Sequence, residues 1–142
     1  DPTSKMSKSD PNPGGYIWLL DDDEAIIRKI KRAVTDSEGV IEYREGKDGV
    51  NNLLTIYGAV TGKTPEDAAI EFSGLGYGDL KTRVGEAVVE ELRPIKEKYY
   101  DLMKNKDYLE SIYKTGAERA SNLAAKTLRK VHKRIGFITD LS

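Results

Sequence analysis

The apolar positions of this chain recur mostly at steps of three and four, the spacing of one face of an α-helix. The clearest short stripe is Ile26, Ile27, Ile30, Ala33 and Val34, set opposite Arg28, Lys29, Lys31 and Arg32. Asp21, Asp22 and Asp23 stand just ahead of it, where carboxylates accept from free first-turn amides and complement the helix dipole. A second stripe, Val50, Leu53, Leu54, Tyr57 and Val60, predicts a helix ending near Gly62. Thr64-Pro65-Glu66-Asp67 reads as an N-cap, a proline at the first helical position and two acids, opening a short helix to about Phe72. Gly39 to Gly49 reads as an irregular or hairpin-like connection.

Two long stripes follow. Leu80, Val84, Ala87, Val88, Leu92, Ile95, Tyr99 and Leu102 mark the first, with Pro94 inside it. The missing N–H and the ring of Pro94 should bend this helix around Glu90 rather than end it. Leu109, Tyr113, Ala117, Ala120, Ala124, Leu128, Val131 and Ile135 mark the second, with small residues that allow close packing. Both stripes read as core, which predicts an antiparallel pair joined near Lys104-Asn105-Lys106-Asp107. The expected fold class is therefore mostly α: a helical bundle with two long antiparallel C-terminal helices, preceded by a flexible loop. The loop is assigned residues 1–15 and the helical domain residues 16–142. The apolar run Tyr16 to Leu20 is too short to assign to an element, and Trp18 within it reads as a packing residue.

Composition narrows the chemistry. A chain of 142 residues suffices for one domain with a modest core. No apolar run approaches the ~20 residues that span a bilayer, and no signal-peptide pattern opens the chain, so no membrane partner is expected. With no cysteine there are no disulfides, thiolate nucleophiles or cysteine zinc sites, as suits a reducing cytoplasm. His132 is the single histidine, which excludes a His-rich metal site. The acids Asp21 to Glu24 read as helix capping rather than a metal site, since no other ligand type stands near them, and no protein-held metal is expected. The net charge of −1 conceals an asymmetry: Lys114 to Arg134 holds seven basic residues against the one acid Glu118. Such a stripe is an electrostatic footprint for nucleic acid, or equally a solvated helix face. Gly62-Lys63-Thr64 ends like a phosphate-binding P-loop, but the glycine required five positions before Gly62 is Tyr57. Gly74 to Gly78 is glycine-rich without a preceding strand and reads as a loop between helices.

Near the front, Lys5-Met6-Ser7-Lys8-Ser9 puts two lysines three apart, with two hydroxyls and the turn Asp10-Pro11-Asn12-Pro13-Gly14-Gly15 behind them. A short cationic loop of this kind suits a polyphosphate: each ammonium is a compact charge on a flexible stem, and hydroxyls add hydrogen bonds. The five letters are also the second signature motif, KMSKS, of class I aminoacyl-tRNA synthetases. Further along, Ala33 to Gly39, Gly49 to Leu54, Gly76-Tyr77-Gly78, Leu92 to Ile95 and Gly116 to Ala120 resemble the C-terminal part of bacterial-type tryptophanyl-tRNA synthetases. The resemblance runs from residue 1 to about Gly136, and Lys8 favours the bacterial form.

The resemblance implies a C-terminal fragment of an enzyme that activates tryptophan with ATP and Mg²⁺, then esterifies tRNA(Trp). Lys5 and Lys8 are then the catalytic cations on the ATP phosphates, and Met6, Ser7 and Ser9 complete the ATP-binding loop. The family's nucleotide-binding domain, with its HIGH-type motif and tryptophan pocket, is expected to precede residue 1. The parent is expected to be a cytoplasmic homodimer. The fragment alone is expected to be inactive, to bind no cofactor, and to expose apolar surface around Ile17, Trp18 and Leu19. For tRNA contacts, charge alone nominates Arg119, Lys126, Arg129, Lys130 and Lys133. Two other readings fit the residues without the resemblance: a stand-alone helical RNA-binding module, and a non-catalytic helical adaptor.

Overall fold

The computed structural model describes residues 12–137 of the protein. Helix accounts for 72% of them, and no strand occurs among them. After a 3-10 turn at Pro13–Gly15 come five α-helices: α1 (Asp23–Lys31), α2 (Asp48–Thr61), α3 (Pro65–Glu71), α4 (Tyr77–Lys104) and α5 (Lys106–Ile135). The chain divides into two compact units, Asp1–Glu97 and Lys98–Ser142, with the boundary inside α4. No helix among the described residues is long and apolar enough to cross a membrane.

The local signals act where the sequence places them. Asp22 caps α1, its carboxylate accepting from the Ala25 amide. Thr64 caps α3 by accepting from the Asp67 amide, and its hydroxyl donates back to the Asp67 carboxylate. Gly62 ends α2 in the left-handed conformation (φ 72°), which costs glycine no Cβ clash. That geometry, rather than phosphate binding, is the role of the glycine in the P-loop lookalike. Residues 39–47 form an irregular connection, and the stretch expected to stay irregular up to Gly49 gives way to α2 at Asp48. α4 runs through Pro94 without ending.

The core of the first unit draws on all four of its helices. Ile26 and Ile30 of α1, Val50, Leu53, Leu54 and Tyr57 of α2, Ala68 of α3 and Leu80, Val84, Val88 and Val89 of α4 are buried together with Ile41 and Phe72. α2 packs on α3, and the Tyr57 and Phe72 rings meet edge to face at 4.8 Å between centroids. Gly49, in the first turn of α2, lies so close to the Val34 carbonyl that a Cβ would overlap it. This contact fixes where the chain leaving α1 crosses the start of α2.

Three expectations change. α1 ends at Lys31, so Val34 lies beyond it and is exposed. Trp18 does not pack into a core: it is 54% exposed, resting edge-on against Tyr16. The third concerns α5. Its apolar stripe was expected to be core, yet the helix has no buried residue, and Tyr113, Leu128, Val131 and Ile135 are all exposed. Periodicity identifies which face of a helix is apolar, but supplies nothing to cover it. The two long helices themselves are present and joined at Asn105, whose side chain accepts from the Tyr108 amide to cap α5.

Candidate nucleic-acid interface

Lys5, Met6, Ser7, Lys8 and Ser9 lie outside the described residues, as does most of the loop expected over residues 1–15. The other candidates are all on α5. Lys126 lies seven residues after Arg119, Arg129 and Lys130 lie three and four after Lys126, and Lys133 lies three after Lys130, so one broad helix face carries all five. Each is exposed, and among the described residues none has an acidic partner. Arg129 bends back so that its Nε donates to the Ala125 carbonyl, 3.3 Å away. Lys114, at the start of the basic stretch, is tied to Glu110. The face is a ladder of solvated cations with free donors, which suits an extended polyanion better than a small ligand. Basic residues also fill the last turn, where His132, Lys133 and Arg134 complement the dipole of the helix C-terminus.

A second polar cluster, in the first unit, was not foreseen. The fully buried Lys47 ammonium donates to Asp36 Oδ1 (3.2 Å), Glu38 Oε2 (2.9 Å) and the Tyr77 hydroxyl (3.2 Å). The Tyr77 hydroxyl lies within hydrogen-bond distance of both Asp36 Oδ1 and the Val40 carbonyl. The Glu38 amide donates to Asp36, and Arg44 bridges Glu38 and Glu42. The second carboxylate oxygen of Asp36 is buried and accepts no hydrogen bond among the described residues.

Charges follow from these contacts. The hydrogen bond from Tyr77 does most to hold the Asp36 carboxyl down at about 2, helped by the Glu38 amide and Lys47 against the cost of burial. Burial opposes the Lys47 charge, but hydrogen bonds to Glu38, Tyr77 and Asp36 outweigh it and raise its pKa above the ordinary lysine value. Burial and the Asp36 carboxylate both push the Tyr77 hydroxyl up. The cluster therefore keeps fixed charges at neutral pH. It clamps the connection between α1 and α2 onto the start of α4. Nothing in the run Arg44-Glu45-Gly46-Lys47-Asp48 marks Lys47 as its buried member. The available signal was indirect: Asp36, Glu38 and Tyr77 all lie in stretches that carry the family resemblance.

Comparison with known proteins decides the family. The profile of the tRNA synthetases class I (W and Y) matches residues 1–93. The chain belongs to that family. It is 49% identical over 138 residues to a tryptophan–tRNA ligase of Clostridium perfringens, covering 97% of this chain and 42% of the relative. It is 51% identical to the tryptophan–tRNA ligase of Listeria monocytogenes, covering 96% and 41%. Among solved structures it resembles the tryptophanyl-tRNA synthetase from Mycoplasma pneumoniae, with a TM-score of 0.61 and 35% identity over 69% of this chain and 32% of that one. The chain thus spans about two-fifths of the length of the curated relatives it matches. The mostly helical content agrees with the sequence reading.

Proposed function

We propose that this chain is the part of a tryptophan–tRNA ligase that carries the phosphate-binding loop and the helical tRNA-binding region. The observation that carries the reading is the unbroken Lys5-Met6-Ser7-Lys8-Ser9 inside the segment matched by the family. Residues 1–15 supply the loop that contacts the nucleotide phosphates, and residues 16–142 hold tRNA(Trp). A nucleotide-binding segment precedes residue 1 in the whole enzyme, a cytoplasmic homodimer.

The chemistry asks little of acids and bases. The tryptophan carboxylate is already a nucleophile at neutral pH. It attacks the α-phosphorus of ATP, the bond to the bridging oxygen breaks, and the electron pair leaves with pyrophosphate. Lys8, and Lys5 beside it, meet the charge that accumulates on that leaving group, while Ser7, Ser9 and the Met6 backbone support the closed loop. A cation that engages the departing charge more strongly than ground-state ATP lowers the barrier rather than only the Michaelis constant. Mg²⁺ bound with ATP would help neutralise the charge on its phosphates. In the second step a ribose hydroxyl at the tRNA 3′ end attacks the adenylate carbonyl, the acyl–phosphate bond breaks, AMP leaves with the electron pair and the hydroxyl proton is released, with the basic face of α5 contributing to tRNA affinity.

The test is tryptophan-dependent ATP–pyrophosphate exchange and tRNA(Trp) charging by an enzyme of the relatives' full length carrying these residues. Both activities are expected. Binding of tRNA without exchange would replace this reading with a non-catalytic RNA-binding module.

A further inference from the structure

We infer a second RNA-backbone site, on α1 and the start of α4, built from Arg28, Lys31, Arg32 and Lys81. Two open hollows of about 530 and 330 Å³ meet there. The larger is lined by Lys31, Gly78, Asp79, Lys81 and Thr82, the smaller by Glu24, Ile27, Arg28, Lys31 and Arg32. Lys31 belongs to both, so the hollows form one surface. Arg28 and Lys31 share the outward face of α1, Arg32 is the C-cap residue that follows it, and Lys81 joins them from α4, 50 residues beyond Lys31.

What separates this surface from an ordinary solvated face is how the neighbouring cations are used. Lys29, on the same helix, is paired with Asp21, and Lys96 with Asp23. Arg44 and Lys47 are held by Glu38, Lys63 by Glu71 and Arg93 by Glu90. Arg83 lies over the Phe72 ring. Arg28, Lys31, Arg32 and Lys81 alone have neither an acid nor a ring partner among the described residues of this unit from residue 12 onward, and all four line the same surface. The acids on its rim, Glu24 and Asp79, leave a surplus of two positive charges. Four cations around two adjoining open hollows suit the repeated phosphates of one strand. They do not match a small ligand, which needs an enclosing pocket. The Thr82 hydroxyl is not a free donor to the site, since it donates to the Gly78 carbonyl.

The site takes RNA phosphates and reads no sequence, because its donors are flexible point charges and guanidinium forks without a groove to present base edges. It rests on the tRNA-binding reading above and adds a location to it that the charge run of α5 did not suggest.

The experiment measures binding of a tRNA(Trp) transcript and of an unrelated tRNA to the protein between 50 and 300 mM salt, by fluorescence anisotropy. Arg28→Gln, Lys31→Gln, Arg32→Gln and Lys81→Gln are combined in one variant, Lys126→Gln and Lys130→Gln in a second, and Arg93→Gln serves as a control. Circular dichroism checks that helix content is retained. Each phosphate contact contributes roughly 0.7 to 0.9 to the slope of log affinity against log salt, so the fourfold variant should lose about 3 from the slope for both RNAs. Arg93→Gln should leave the slope unchanged. If the fourfold variant keeps the wild-type slope while wild type binds tRNA, this site is overturned and the tRNA reading stands. A loss confined to tRNA(Trp) would overturn the backbone assignment. Absence of tRNA binding by the unsubstituted protein would overturn both. If the fourfold variant loses helix content, the single variants Arg28→Gln and Arg32→Gln, both at exposed positions, decide the matter through slope changes of about 0.7 to 0.9 each.

Discussion

At the scale of single residues, Lys47 and Asp36 show how a charge becomes structural. Lys47 is fully buried and joins the Asp36 and Glu38 carboxylates to the Tyr77 hydroxyl, so its removal strands several polar groups at once. Asp36 titrates at about 2 in the fold, against ~3.9 for a free aspartate. A carboxyl depressed in this way stabilises the fold in full above the unfolded value, and the contribution is lost as pH falls from about 4 to about 2. Lys47, raised in the fold, contributes below the unfolded lysine value and loses that contribution only at strongly alkaline pH, so it stays charged across the acid window. Urea midpoints followed by circular dichroism should therefore decline between pH 4 and pH 2. Asp36→Asn should start from a lower plateau at pH 7, because Lys47 loses a charged partner, and should decline less steeply in that window. Parallel declines for the two proteins would show that Asp36 carries no such linkage. Lys47→Met should lower the melting temperature more than Lys63→Met, since the Lys63–Glu71 pair is substantially exposed and exposed pairs contribute little.

At the scale of elements, α2 and α5 contrast most sharply. Both have helical periodicity and a glycine stop in the left-handed conformation, and the sequence marks both well. α2 buries Val50, Leu53, Leu54 and Tyr57, whereas α5, at 30 residues the longest helix, buries none. Most helical stability in proteins comes from packing an apolar face rather than from propensity. Backbone amides of α5 should accordingly exchange with solvent faster than those of Leu53 to Gly58, by at least about 100-fold, equivalent to an opening about 2.7 kcal/mol less costly. Hydrogen-exchange mass spectrometry of the protein reads this directly, and equal protection would mean that something covers α5. The contrast also explains what was legible. Asp22, Thr64, Gly62 and Asn105 act through atoms within four residues of themselves, so spacing alone locates them. Burial of the α5 stripe depends on atoms remote in sequence, and periodicity cannot report those. Trp18 failed as a packing residue for the same reason.

At the scale of the whole molecule, the proposed site can be read from sequence only where a motif or a charge run marks it. Lys5 and Lys8 stand in a five-residue signature, and the α5 cations stand in one charge run. The Lys47 cluster and the α1 surface exist only once segments 30 to 50 residues apart are folded together. Because the chain covers about two-fifths of its relatives' length, the decisive test of the loop belongs in an enzyme of their full length. There, Lys8→Ala should slow adenylate formation far more than it weakens ground-state binding of ATP. Loss of one charge-assisted transition-state contact costs about 2–4 kcal/mol, which corresponds to roughly 30- to 1000-fold in rate. Lys8→Arg should recover only part of this, because a planar fork does not reproduce a compact ammonium on a turning loop. Lys5→Ala should behave in the same way with a smaller loss. Transfer from preformed tryptophanyl-adenylate to tRNA should be much less affected in all three variants, since pyrophosphate has already departed. Pre-steady-state rates of adenylate formation, measured beside equilibrium ATP binding, separate these outcomes. A raised Michaelis constant for ATP with the turnover number intact would make Lys8 a contact of equal strength in ground and transition states. In that case the loop would bind ATP without assisting departure of pyrophosphate.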